Sequence, residues 1–129
     1  MAGLYFEDCR EGLVVEHAIR RTVTETDNVL FSALTYNCAP LHIDAEYSKD
    51  SLYGQRLVNS MFLLALVAGV TVYETTLGTT LGNLGFQEVS FPKPTFHGDT
   101  IRRMTFPAGR TAGASYVGIA GCASTSGRL

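Results

Sequence analysis

The stretch MFLLALVAGVTVY, about 13 apolar residues between polar Asn59-Ser60 and Glu74, restricts the fold of this chain more than any other feature. It is short of the roughly 20 residues a bilayer crossing needs, so a helix buried in protein is the better reading. From Gln55 to about Val70 the apolar residues Leu57, Val58, Met61, Phe62, Leu63, Leu64, Leu66 and Val67 leave no wide polar face. Such a helix has to be covered on most sides, which makes it the spine of a domain.

A chain of 129 residues fits one compact domain around that spine. Composition is that of an ordinary globular protein, 46% hydrophobic and 17% charged with net charge −2, and no basic stripe interleaved with aromatics points to nucleic acid. Cys9, Cys38 and Cys122 are too few and too irregular for a disulfide framework or a zinc knuckle, and read as free thiols in a reducing compartment. The start, MAGLYFEDCREG, lacks the basic and apolar regions of a signal peptide, so a cytoplasmic protein without membrane contact is expected. Charge is uneven: twelve acidic and six basic side chains precede residue 100, whereas four arginines and no acid follow it.

Along the chain, LVVEHAIRRTVT (13–24) predicts a strand. Thr24 and Asp27 then form a helix-start pattern, and Val29, Leu30, Ala33 and Leu34 recur at helical spacing, predicting a helix over 26–34. Pro40 can open a further helical turn, and HIDAEYSKDSLYG predicts a short helix closing on Gly54. LGTTLGNLG (77–85) is a loop or broken strand whose glycines do not match a phosphate-binding fingerprint. GFQEVSFPKPTF predicts a strand near a sheet edge, HGDT a turn, and IRRMTF a second strand. From Pro107, 15 of 23 residues are Gly, Ala, Ser or Thr, which suits either a small-residue strand or a poorly ordered tail, the composition favouring the latter. The element order is α+β, with an antiparallel sheet wrapping a central helix over about 55–70.

Chemistry gathers in TYNCAPLHIDA (35–45). Asn37 and His42 stand five residues apart with Pro40 stiffening the connection, so their side chains can converge on one substrate atom. Histidine is the natural general acid/base near neutral pH, and an asparagine amide can hold a water or a carbonyl oxygen. A histidine just after a proline equally suits a helix start or a core position. Asp27, Asp44 and Glu46 are alternative acids; Asp44 could orient His42 or simply cap a helix. His17 lies in a strand pattern and His97 at a turn, both structural or solvated. No histidine pair has metal-ligand spacing, and Cys38 has no signature of a nucleophile.

The segment TVTETDNVLFSALTYNCAPLHID (22–44) resembles the signature region of the MaoC-like acyl-CoA hydratases and dehydratases. YGQRLVNSMFLLALVAGVTVYETTLGTTLGNLG and VSFPKPTFHGDTI resemble the branch associated with mesaconyl-CoA hydration and β-methylmalyl-CoA dehydration, and the likeness covers roughly residues 3–103. The resemblance implies a hotdog fold over 1–106, assembled as a homodimer or higher homo-oligomer, with a short-chain, branched or dicarboxylic 2-enoyl-CoA as substrate and no cofactor or metal. His42 falls on the family's catalytic histidine, Asn37 on its catalytic aspartate and Ala39 on its asparagine. A second carboxylate on the substrate would repel a catalytic aspartate, which gives the amide at Asn37 a purpose. The family's thioester-polarising backbone N–H corresponds to Ser60, beside which Asn59 could add a side-chain donor. Arg56, Lys93 and Arg102 are candidates for CoA phosphates or a substrate carboxylate, or are plain surface charges. The likeness ends at 107–129, which departs from the family's long closing strands as a truncated or out-of-frame ending would. The alternatives are therefore an impaired, non-catalytic paralogue and a hotdog acyl-CoA thioesterase.

Overall fold

The computed structural model describes residues 3–10, 13–83, 85–86, 89–102, 104–111 and 114–120, the last two as backbone. Its elements are β1 (Val15–Glu16), β2 (Arg21–Thr22), α1 (Glu25–Leu34), α2 (Pro40–Ile43), α3 (Ala45–Lys49), α4 (Ser60–Thr75), β3 (Thr100–Ile101), β4 (Met104–Thr111) and β5 (Ala114–Ala120). The chain divides into two compact units. One contains Arg21–Leu66 and Ser90–Ile101; the other contains the first twenty residues, Val67–Val89 and the β4–β5 region.

In the first of these units, α1 begins as its sequence dictates. The Thr24 hydroxyl accepts from the Asp27 N–H at 3.2 Å and the Asp27 carboxylate accepts from the Thr24 N–H at 2.8 Å, a reciprocal cap for two otherwise unpaired donors. Desolvation would raise the Asp27 pKa, but the two Thr24 bonds and the charge of Arg21, 2.7 Å away, hold it below the ordinary carboxylate value. At the other end Tyr36 turns the chain with φ of +57°, a left-handed conformation usually left to glycine after a helix. β2 pairs antiparallel with β3, Arg21 opposite Ile101 and Thr22 opposite Thr100, and Val23 and Ile101 bury side chains no more than 1% exposed.

The segment expected as one helix closing on Gly54 is instead two short helices, α2 and α3, broken at Asp44. Asp44 is extended (φ −102°, ψ 109°), and its Oδ1 accepts from the N–H groups of Glu46 and Tyr47 at 2.9 and 3.0 Å. Capping chemistry outweighs helix continuation there.

The long helix also differs from its prediction over 55–70: α4 runs Ser60–Thr75. Residues 57–58 are drawn into extended pairing, with Leu57 bridged to Phe96 and the Val58 N–H donating to the Thr95 carbonyl at 2.9 Å. Burial along α4 is one-sided rather than all round. Leu63, Val67 and Val70 are buried on one stripe, while Met61, Ala65, Gly69 and Tyr73 form an exposed one at every fourth position. The helix is shorter than a membrane crossing, and no helix among the described residues is long and apolar enough to make one.

In the second unit β1, β4 and β5 form a three-stranded antiparallel sheet in the order β1-β4-β5, with Val15 opposite Thr105 and Met104 opposite Ala120. The register shifts between Pro107 and Gly109, where proline has no N–H to give the ladder. β4 thus runs through position 107 unbroken, and β5 carries strand on to Ala120; residues 112–113 and 121–129, with Cys122, lie outside the described residues. The predicted strand over 13–24 is split into β1 and β2. His17, just after β1, is buried, its Nδ1 2.9 Å from Glu74 Oε2, and that bond holds the Glu74 carboxyl below its ordinary value against a smaller desolvation effect.

The predicted strand GFQEVSFPKPTF does not form among the described residues. Gln87 and Glu88 lie outside the described residues; Gly85, Phe86 and 89–95 belong to no strand. Pro92 and Pro94 deny the ladder two donors on either side of Lys93, so only Phe96 reaches a bridge.

Candidate functional site

His42 lies in α2, half-buried, and its ring Nδ1 is 2.9 Å from the Leu57 carbonyl oxygen. A carbonyl only accepts, so Nδ1 carries the proton in the neutral ring and Nε2 is left as the basic nitrogen. Among the described residues the ring makes no other hydrogen bond. This is the tautomer a general acid/base working through Nε2 requires.

Asn28 stands behind that arrangement. It is fully buried on α1. Its Nδ2 has two hydrogens to share among three acceptors, the main-chain carbonyls of His42 at 3.0 Å and Leu57 at 3.2 Å and Nε2 of His97 at 3.0 Å. Its Oδ1 accepts from the Asn59 N–H at 2.8 Å. No signal in a single sequence marks Asn28 for this role, although it lies inside the 22–44 segment. Nor does one mark His97, expected to be structural or solvated, whose ring nitrogen is here an acceptor.

That acceptor role requires a neutral ring at Nε2. Burial pushes the His97 pKa below its ordinary value, the nearby Arg56 charge pushes it the same way, and Glu25 opposes both. In the unfolded chain histidine titrates near 6.5, so between that value and the lower folded one the unfolded state binds more protons. Stability is complete above about pH 6.5 and is lost as pH falls toward the folded value. Thermal melts from pH 7 to 5 should show a falling midpoint in the native chain and a flatter one in His97→Gln. An identical slope in both would remove His97 from the explanation.

Asn59 was expected to offer a side-chain donor to a thioester, and the structure corrects this. The residue is 2% exposed, its Oδ1 accepts from the Met61 N–H at 3.0 Å, and its Nδ2 donates to Ser32 Oγ at 3.3 Å. Its amide caps α4 and faces the buried Ser32, because a helix start leaves donors that need partners. The Ser60 N–H, by contrast, makes no hydrogen bond among the described residues, and Ser60 lines a cavity of about 220 Å³ at the start of α4. Tyr53, Leu57, Val58, Leu63, Phe91, Pro92, Pro94 and Thr95 complete a wall of mixed polar and apolar character, and Lys93 is the one charged lining residue among the described residues.

The remaining candidates are dispersed. Asn37 is exposed in the turn after α1, and no hydrogen bond joins it to His42. Arg56 forms a 2.6 Å ion pair with Glu25, with its side chain 16% exposed, so its charge is already met; the same bond lowers the Glu25 pKa. Arg102 is exposed and falls in the other compact unit. Asp44, weighed as a partner for His42, spends its carboxylate on capping α3. Asp44→Ala is expected to cost about 1 kcal/mol in a denaturant melt. It should leave the pH dependence of any His42-dependent activity unchanged; a shifted profile would restore the orienting role. Cys38 is an exposed free thiol, and no cluster of three metal-ligating side chains occurs among the described residues.

Solved structures share this architecture. The monoamine oxidase regulatory protein from Archaeoglobus fulgius aligns with a TM-score of 0.72 and 32% identity over 83% of this chain and 72% of its own. A MaoC-like dehydratase from Rhodospirillum rubrum aligns at 0.70 with 26% identity, over 81% and 70%. At 18% identity the (R)-hydratase from A. caviae shows the fold alone, at 0.65. The chain is therefore an α+β protein of the hotdog class.

The MaoC like domain model matches residues 9–120, and the chain belongs to that family. Its relatives include the mesaconyl-CoA hydratase of Cereibacter sphaeroides, 35% identical over 78% of this chain but only 29% of that protein. The (R)-specific enoyl-CoA hydratase of Rhodospirillum rubrum is 29% identical over 75% of this chain and 65% of its own length. The chain thus spans under a third of the first relative and about two thirds of the second.

Proposed function

We propose that the chain hydrates and dehydrates a short-chain, branched or dicarboxylic 2-enoyl-CoA, with His42 Nε2 as the general acid/base. One observation carries the reading: the bond from Nδ1 to the Leu57 carbonyl, which leaves Nε2 to exchange a proton. In hydration, His42 takes a proton from a water held by the Asn37 amide. The hydroxide oxygen bonds to Cβ as the Cα=Cβ π electrons move onto the thioester. His42 then returns the proton to Cα. The Ser60 N–H at the start of α4, where the helix dipole is positive, would stabilise the enolate-like thioester oxygen. The thioester itself acidifies the α-hydrogen, so the scheme calls on no metal or redox cofactor.

The cavity beside Ser60 suits a short acyl group, and Lys93 on its wall would favour a second carboxylate there. The names of the mesaconyl-CoA hydratase and of the β-methylmalyl-CoA dehydratase from Chloroflexus aurantiacus, 29% identical over 77% of this chain, support the same substrate class. A homodimer belongs to the proposal as well: the exposed stripe of Met61, Ala65, Gly69 and Tyr73 offers it an apolar surface. A competing reading, a chain that binds CoA thioesters without turnover, draws on Asn37, an exposed amide in place of a carboxylate base.

The test is the loss of enoyl-thioester absorbance from mesaconyl-CoA and crotonyl-CoA, with free thiol followed in parallel. Loss of absorbance that requires His42 supports the hydratase. Binding with no loss supports the impaired form, and free CoA would point to a thioesterase.

A further inference from the structure

Most main-chain polar groups of Leu57 through Asn59 have partners outside this segment. The Leu57 N–H donates to the Leu41 carbonyl at 3.0 Å, and the Leu57 carbonyl accepts from both His42 Nδ1 and Asn28 Nδ2. The Val58 N–H donates to Thr95, the Asn59 N–H to Asn28 Oδ1, and the Asn59 carbonyl accepts from Leu63 at 3.2 Å. Asn28 is the side chain that touches both ends of this segment. The donors and acceptors also fix which way its amide points. A backbone N–H can meet only Oδ1, and two backbone carbonyls can meet only Nδ2.

We propose that Asn28 is a positioning residue that sets the His42 tautomer and the start of α4 together, with His97 Nε2 as its third acceptor. The amide suits the task and its neighbours in chemistry do not. Aspartate would face three acceptors with no donor, leucine would leave the His42 carbonyl, His97 Nε2 and the Asn59 N–H unmatched, and a buried unmatched group is costly. Release of the Asn28 amide would free the Leu57 carbonyl to move, and with it the proton on His42 Nδ1. The same release would loosen Asn59, whose Oδ1 caps α4 just ahead of the Ser60 N–H. One side chain thereby couples the acid/base nitrogen to the thioester-binding donor. Burial and the Arg56 charge favour the neutral His97 ring, Glu25, itself paired with Arg56, opposing them, and the neutral ring is able to accept.

The consequence for turnover rests on the hydratase reading; the hydrogen-bond consequence does not. Long-range 1H–15N correlation spectra at neutral pH read the His42 tautomer directly. The native chain should show Nδ1–H alone. Folded Asn28→Ala should show both tautomers, with the Asn59 and Met61 amide signals displaced. Asn28→Asp keeps an acceptor for Asn59 but no donor, so it should disturb His42 fully and Asn59 less. His97→Ala should reproduce part of the His42 change, and His97→Gln, which retains an acceptor, should reverse it.

In a hydration assay Asn28→Ala should lose roughly ten- to a hundredfold in kcat with KM little altered. Native His42 tautomer and native Asn59 and Met61 signals in folded Asn28→Ala overturn the inference, as does full turnover. If Asn28→Ala fails to fold, the His97 pair decides: no difference between alanine and glutamine overturns it. A tautomer change in a chain that hydrates no enoyl-CoA upholds the positioning role and sinks the hydratase reading instead.

Discussion

Replacing His42 is expected to lower hydration turnover by roughly 10²–10⁴-fold, the range that a positioned general acid/base supplies. Alanine and asparagine should do so for the same chemical reason but with different structural side effects. His42→Ala removes the donor to the Leu57 carbonyl, at a cost of about 1 kcal/mol. That carbonyl keeps its second partner, Asn28 Nδ2 at 3.2 Å, so no buried acceptor is orphaned and the chain should still fold. His42→Asn goes further, since its amide N–H can occupy the place of Nδ1 and donate to Leu57 while offering no base. Equal loss in both variants, with native melting in His42→Asn, would assign the loss to proton transfer. Activity retained in His42→Asn would instead mean that His42 only anchors Leu57, and the hydratase scheme would need another base.

The largest stability effect is expected at Ile101. Its side chain is 1% exposed, and β3 holds it against β2 with Arg21 directly opposite. The Val23 N–H donates to Asp99 and the Gly98 N–H to Val23, at 2.9 and 2.8 Å, so the two strands and the turn before β3 are tied together. Ile101→Ala should cost about 2–5 kcal/mol, or about 8–20 °C in Tm for a chain of this size. The damage should extend to the site, because the same turn carries His97. Leu30→Ala, at a helix position 55% exposed, should change stability by less than about 0.5 kcal/mol. Equal losses at both positions would show that burial in this unit does not govern its stability.

The parts that were legible in the sequence are those whose partners lie close along the chain. Thr24 and Asp27 start α1 three residues apart, and Pro40 opens α2 because its ring presets the backbone angle. Asp44 was open between two roles, and its position two residues before the first capped N–H decided the matter locally. The family match over 9–120 bears out the resemblance read from the motifs and runs past residue 107, where that resemblance ended.

Elsewhere the sequence was ambiguous or misleading, chiefly where a distant partner intervened. The apolar run identified a central helix but not its start. Leu57 and Val58 suit a helix as well as a strand, and only Thr95 and Phe96, far along the chain, draw them out of it. Composition favoured a loose tail from residue 107, whereas main-chain pairing between β4 and β5 makes strands of Gly, Ala and Ser without needing large side chains. Asn59 read as a donor to substrate and became a cap.

By itself, then, the sequence determined the family, the α+β class, the starts of α1 and α2 and the identity of the acid/base candidate, since caps, periodicity and motif spacing are local properties. Which nitrogen of His42 is basic, where α4 begins and what Asn28 does were decided by tertiary structure alone. Each depends on groups 14 to 69 residues apart meeting at hydrogen-bond distance, and no local pattern encodes that meeting.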